Sequence, residues 1–334
     1  MTISDLKPGE QDFAEAAEEL RDLRATLAGA IIGQESLIEG LIIAVLAGGH
    51  VLLEGLPGLG KTHLVKALAG ALGLELDRVQ CTPDLMPADI TGSEILARDD
   101  QGVHHFQFRK GPVFTNLLLV DEINRATPKT QAALLEAMQE GQVTHAGRRH
   151  PLPSPFWVVA TQNPIEIEGT YPLPEAQLDR FTVKLRVEFP DTDRLLDMVE
   201  VSLDEEPAER ITAVLDTAGM THLMALARSV VVAPPLKRAA VDLILATHRE
   251  TALGSEAAAD FRYGASPRGL QALLRTARVR ALMAGRAHVS PKDLEAVALP
   301  CLRHRVLLTI DAELAGQSAD ALLARILEIW RRSL

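Results

Sequence analysis

Cysteine is nearly missing from this 334-residue chain: Cys81 and Cys301 are the only two, far apart and outside any Cys-x-x-Cys spacing. That argues against a disulfide framework and a zinc site, and both thiols are expected to be buried in a protein of a reducing compartment. Aromatic residues make up only 4% against 47% hydrophobic residues overall. An apolar content carried by alanine and leucine favours helices over an all-β architecture. No hydrophobic run approaches the roughly 20 residues that cross a bilayer. The longest, 41–49, is followed by His50 and Glu54 and reads as a core helix feeding a strand. The first 13 residues are polar and acidic, without the basic and apolar segments of a secretory signal, so a cytoplasmic protein without membrane insertion is expected. Positive charge is in deficit too. A net charge of −11 repels a nucleic-acid backbone on average and argues against unaided DNA binding. There is no internal repeat and no low-complexity tract, which disfavours solenoid and disordered architectures.

What is present begins with Gly55-Leu56-Pro57-Gly58-Leu59-Gly60-Lys61-Thr62, set between a strand-like run at 50–54 and a helix-like one at 61–71. Glycines in such a turn let backbone N–H groups point inward around an anion, and the helix start adds the positive end of its dipole. Lys61 then reaches terminal phosphates and Thr62 offers a hydroxyl to Mg²⁺. His63 closes the nucleotide-binding stretch and is expected to pack in the helix rather than to do chemistry. A second element, Leu117-Leu118-Leu119-Val120, reads as a buried strand ending in Asp121-Glu122. In a parallel sheet this places two carboxylates at the strand's C-terminal edge beside the cradle, Asp121 for the metal and Glu122 to polarise the attacking water. Two adjacent acids desolvated together call for a cation. A third run, 157–161, ends in Gln162-Asn163-Pro164, where Asn163 is placed to orient the water; Asn-Pro is equally a turn signal.

Residues 9–30 carry Phe13, Ala16, Ala17, Leu20, Leu23 and Leu27 at helical spacing, an amphipathic entry helix. Strand-like runs at 51–54, 78–82, 117–121, 157–161 and 181–187 alternate with helical segments, which predicts an α/β fold with a parallel five-stranded sheet flanked by helices. The most regular helix spans 128–140, with proline in its first turn and Gly141 behind it. Residues 191–334 show helical periodicity with starts marked at Pro235, Pro267 and Pro291, so a small helical domain is expected to follow an α/β core of 1–190. The acid-rich piece Asp204-Glu205-Glu206-Pro207 reads as a solvated connection.

Two hairpin-like insertions exceed what hydrolysis requires and are candidates for touching a substrate. One pairs 93–97 with 103–108 around Asp99-Asp100-Gln101-Gly102, and the other pairs 142–144 with 149–152 around Ala146-Gly147. Arg148, Arg149 and His150 read as an exposed polar loop, too few charges to track a phosphate backbone. His104 and His105 are adjacent, so on a strand they face opposite sides and make no metal pair. Arg275, Arg278, Arg280 and Arg286 read as solvated helix faces, with contacts across a subunit interface as the second reading.

Taken together, these strings resemble the MoxR branch of the AAA+ ATPases. The likeness is carried by Ile32-Gly33-Gln34-Glu35, the cradle, Asp121-Glu122-Ile123-Asn124-Arg125-Ala126, Leu134-Leu135-Glu136-Ala137-Met138-Gln139-Glu140 and Ala160-Thr161-Gln162-Asn163-Pro164. The string 168–181, which opens Glu168-Gly169-Thr170-Tyr171 and closes Leu178-Asp179-Arg180-Phe181, is the most specific, and Gly264-Ala265-Ser266-Pro267-Arg268-Gly269 extends the match into the helical part. The resemblance implies that Gly33 and Gln34 lie near the adenine of ATP, that residues 55–62 bind its phosphates, and that Thr62 and Asp121 hold Mg²⁺. It makes Glu122 the catalytic base, Asn163 the first sensor, Arg268 the second sensor reaching the γ-phosphate from the lid, and Arg180 the arginine finger acting on a neighbour's nucleotide. The implied assembly is a homo-oligomeric ring, usually a hexamer, that remodels, matures or activates protein clients with a partner carrying a von Willebrand factor A domain. A nucleotide-gated assembly module and a DNA-translocating motor are the alternatives; the acidic balance counts against the motor.

Overall fold

Five short strands, three of them (residues 51–54, 117–121 and 157–162) apolar enough to be buried on both faces, set the architecture. They are β1 (Val51–Glu54), β2 (Leu76–Gln80), β5 (Leu117–Asp121), β8 (Trp157–Gln162) and β9 (Val183–Arg186), and they form one parallel sheet in the order β2-β5-β8-β1-β9. The computed structural model describes residues 8–31, 33–98, 102–165, 169–190, 192–193, 195–196, 211–251 and 258–332. Ile32, residues 99–101, Glu168, the 204–207 acidic piece and most of the expected domain junction lie outside the described residues.

Alternation along the strands assigns two faces. Val51, Leu53, Leu117, Leu119 and Val159 point into a large core shared with α1 (Glu10–Ala30), α2 (Glu35–Leu46), α3 (Lys61–Ala71) and the helical lid. Leu52, Leu118, Val120, Val158 and Ala160 point into a smaller core against α5 (Pro128–Glu140). The α5 boundaries follow from local chemistry: Thr127 caps the start with its hydroxyl, Pro128 needs no hydrogen-bond partner there, and Gly141 ends the helix in the left-handed conformation at φ 62°. The expected hairpins are present as β3 (Gly92–Arg98) with β4 (His104–Lys110), and β6 (Gln142–His145) with β7 (Arg148–Pro151). The short helix α4 (Pro87–Thr91) leads into the first hairpin, and α6 (Glu175–Leu178) lies along the chain between β8 and β9.

The lid comprises α7 (Thr217–Ser229), α8 (Pro234–Leu245), α9 (Pro267–Met283), α10 (Pro291–Leu302), α11 (Ile310–Leu314) and α12 (Ala319–Arg332), with a two-stranded pairing of β10 (Phe261–Tyr263) and β11 (Leu307–Leu308). Ser266 and Ser290 stand at the caps before Pro267 and Pro291, as the proline signals require. The lid docks on β9 through Asp320, which pairs with Arg186 at 2.8 Å and with Arg303 at 3.1 Å.

Three expectations shift. The edge strand β2 starts at Leu76 rather than 78 because its mixed sequence offers no apolar run to mark it. The last strand begins at Val183 rather than 181; residues 179–182 are held by the lid instead. Two of the four lid arginines are not merely solvated: Arg280 pairs with Glu39 of α2, and Arg286 grips Asp293 with both terminal nitrogens at 2.9 and 2.7 Å. Both cysteines are buried, and no helix among the described residues is long and apolar enough to cross a membrane.

Candidate active site

The cradle is a turn that only glycine enters without strain. Gly58 and Gly60 have φ of 82° and 70°, and nothing lies within 4 Å of where a Cβ would stand on either, so backbone conformation rather than crowding demands them. The chain passes through Pro57 and Leu59 and enters α3 at Lys61. Lys61 Nζ donates to the carbonyls of Gly55 and, at 3.0 Å, Leu56, which holds the ammonium over its own loop. Thr62 Oγ1 lies 3.4 Å from Asp121 Oδ2, and His63 is half-buried in the first turn of α3.

Beside the cradle, Gly33 and Gln34 line a cavity of about 200 Å³ with Val187 and Phe189. Gln34 Nε2 donates to the Leu59 carbonyl at 3.2 Å, tying this cavity to the turn. Its Oε1 is a buried acceptor with no hydrogen-bond partner among the described residues, which suits a ligand that brings an amino group, as adenine does.

The acids stand at the end of β5. Asp121, almost fully buried, accepts from Arg78 Nε at 2.7 Å through Oδ2 and from Thr161 Oγ1 at 3.2 Å through Oδ1. The same Thr161 hydroxyl oxygen accepts the Glu122 N–H at 2.9 Å. Glu122 sits in the left-handed region at φ 57°, a conformation costing on the order of 1–3 kcal/mol in a residue with a side chain. That cost accompanies a carboxylate whose Oε2 receives Gln80 Nε2 at 3.0 Å and Arg125 Nε at 3.2 Å. The counter-charge that two neighbouring acids need is thus supplied in part by Arg78 and Arg125, where the sequence pointed to a cation from outside. Cys81, whose N–H bonds the Asp121 carbonyl at 2.9 Å, has its thiol pushed up to about 12 by burial and then by the charges of Asp121 and Glu122, so it stays protonated. Asn163, also buried, accepts the Ile165 N–H at 3.2 Å through Oδ1. The Thr62 hydroxyl and the Asp121 carboxylate are hard oxygen donors that fit Mg²⁺, an ion bound through one or two carboxylates plus substrate phosphates.

Sequence reasoning missed Arg78, Gln80, Arg125 and Thr161. Thr161 alone left a signal, a hydroxyl at the end of an otherwise apolar strand.

The expected arginines lie elsewhere. Arg180 and Arg268 share a cavity of about 180 Å³ with His50, Arg275, Arg305 and Asp179. His50 precedes β1, and the Thr182 N–H bonds its carbonyl at 2.8 Å just before β9, so this cavity opens at the N-terminal edge of the parallel sheet. The cradle follows β1 at the opposite edge. Four strand residues at about 3.3 Å each separate the two by roughly 13 Å, and neither arginine is at its own chain's cradle. Arg180 Nη1 donates to the Leu135 carbonyl at 2.6 Å, and Arg268 Nη1 lies 3.8 Å from Asp179 Oδ2. Four guanidiniums thus share this cavity with one carboxylate, a surplus of positive charge in an acidic protein.

Comparison with known proteins matches residues 50–183 to the ATPase family associated with various cellular activities (AAA) and residues 254–326 to the AAA lid domain. The chain is 42% identical over 300 residues to Chaperone MoxR1 of Mycobacterium tuberculosis, covering 89% of this chain and 78% of that one. It is 36% identical to Protein MoxR of Paracoccus denitrificans, covering 86% and 88%. A crystal structure from Cytophaga hutchinsonii superposes with a TM-score of 0.88 at 37% identity over 96% of both chains. Likeness of this extent reaches well beyond the phosphate cradle and takes in the lid: the chain belongs to the MoxR family of AAA ATPases, enzymes that hydrolyse ATP.

Proposed function

We propose that the chain works as a ring, in which each ATP is bound by one protomer's cradle and completed by Arg180 and Arg268 of the next. The observation that carries this reading is the arginine-rich cavity at the sheet edge opposite the cradle. An arginine that cannot reach its own nucleotide serves hydrolysis only from a neighbour, and head-to-tail contacts of that kind close into rings; a hexamer is the size the family likeness favours. The N–H groups of residues 55–62 and Lys61 hold the phosphates. Thr62 and Asp121 hold Mg²⁺, which when bound neutralises charge on the phosphates. Glu122 accepts the proton of the attacking water, and Asn163 orients that water. The neighbour's guanidiniums stabilise the charge spread over the transferring phosphoryl group.

The work done by hydrolysis is remodelling or activation of a protein client, assisted by a partner with a von Willebrand factor A domain, in the cytoplasm. Support comes from the relative named a chaperone and from the β3–β4 hairpin, where Leu96 and Phe106 face each other across the strands and stay exposed. Exposed apolar side chains on a projecting hairpin suit an unfolded or loosely held polypeptide better than a phosphate backbone. The expected division is an α/β core of 1–190 and a lid of 191–334, moving against each other through the ATP cycle.

The test is Glu122→Gln. Nucleotide binding, read by a fluorescent ATP analogue, should persist near the wild-type affinity while turnover falls by at least about 10²-fold. Wild-type turnover in this variant would remove the assignment of the base.

A further inference from the structure

The segment that carries Arg180 is gripped chiefly by one buried side chain from the lid. Arg305, with 2% of its side chain exposed, donates through Nε to Asp179 Oδ1 at 2.8 Å. Its Nη2 donates to the carbonyls of Asp179 at 3.1 Å and Phe181 at 2.6 Å, and its Nη1 to those of Thr182 at 3.0 Å and Cys301. The backbone is therefore fixed on both sides of residue 180, while the Arg180 side chain is left to the cavity and to Leu135. His304 adds a bond from its ring to the Phe181 carbonyl at 3.0 Å, and burial keeps that ring neutral.

Asp179 joins this grip to the second arginine. Its Oδ1 also accepts from Ser266 Oγ at 2.7 Å, and Ser266 caps α9, the helix on which Arg268 follows two residues later. Its Oδ2 faces Arg268. One carboxylate thus sets where both arginine carriers stand.

We propose that Arg305 is a positioning residue for the arginines presented to the neighbouring protomer, with Asp179 as their common anchor. This rests on the reading that Arg180 acts across the subunit interface. Only a guanidinium serves here: five N–H groups in one plane meet a carboxylate and backbone carbonyls at once, whereas an ammonium reaches fewer from one point. Displacing a reacting or stabilising group by about 1 Å costs on the order of 10²-fold in rate. Arg305→Lys should therefore lower kcat by about that factor, with the affinity for ATP unchanged because the variant's own cradle lies at the far edge of the sheet.

Mixed rings separate positioning from a loss of structure. Arg305→Lys subunits keep an intact nucleotide site, and Glu122→Gln subunits keep intact arginines. Co-assembled at equal amounts, about a quarter of head-to-tail interfaces join an intact site to an intact donor, so activity should rise toward a quarter of wild type although each variant alone is slow. Arg180→Ala mixed with Glu122→Gln is the reference. If the reference mixture recovers and the Arg305→Lys mixture does not, the positioning role is wrong. If neither recovers, the action across the interface is wrong and takes this inference with it. Wild-type kcat in Arg305→Lys alone would also overturn it. Asp179→Asn, nearly isosteric, runs in parallel and should give the same recovery should Arg305→Lys fail to fold.

Discussion

The two edges of the sheet are built by different means. At the cradle edge, geometry is local: Gly58 and Gly60 set the turn, α3 starts at once, Asp121 closes β5, and Glu122 and Asn163 directly follow the ends of β5 and its neighbour β8. At the arginine edge, residues 50, 138, 180, 268 and 305 converge from both the core and the lid, and Asp179 with Arg305 is their joint. The first edge is shaped by the backbone, so its turn keeps its form whatever the lid does. The second exists only while the lid is docked, so in the proposed ring it is the edge at which lid movement would change activity in the next protomer.

Removing one functional side chain from each edge gives the largest expected contrast. Arg180→Ala should lower turnover by about 10³–10⁵, roughly 4–7 kcal/mol of barrier, and leave ATP affinity near wild type. Lys61→Ala should lose the affinity itself. Equilibrium binding beside steady-state turnover reads both, and an Arg180→Ala variant that binds as poorly as Lys61→Ala would erase the distinction between the edges.

A smaller effect sharpens the same contrast through pH. His50, at the arginine edge, accepts the Val158 N–H at Nδ1 and approaches the Met138 carbonyl through Nε2, and burial lowers its pKa to about 4. The unfolded chain, with an ordinary value of 6.5, binds this proton first, so the stability gained from a neutral His50 is complete above pH 6.5 and drains as the pH falls toward 4. Between pH 7 and 5 the loss should be roughly 2 kcal/mol, with His304 adding to it in the same direction. Urea unfolding across that range checks it; a stability independent of pH, or one equally steep in His50→Gln, would contradict the assignment.

The same division explains what could be read from the chain. Eight consecutive residues specify the cradle, and Asp121-Glu122 announces itself after four apolar residues, because these geometries are short in sequence. The Ala146-Gly147 turn was equally legible, and both residues adopt positive φ. Arg305 was not, since the side chain it anchors lies 126 positions away and nothing in Leu302-Arg303-His304-Arg305 marks it as buried. Arg280 looked like a surface charge for the same reason; Glu39 is 241 positions distant. The placement of Arg268 beside Arg180 required the lid to be docked, which no local pattern encodes.

The central claim is that the arginine edge of one protomer completes the cradle of the next. Its most direct test is specific ATPase activity at saturating ATP over a dilution series, with oligomer mass measured at every point. Activity per chain should fall with the population of rings and become nearly nil when the chain is monomeric. A proven monomer hydrolysing ATP at the undiluted rate would contradict it.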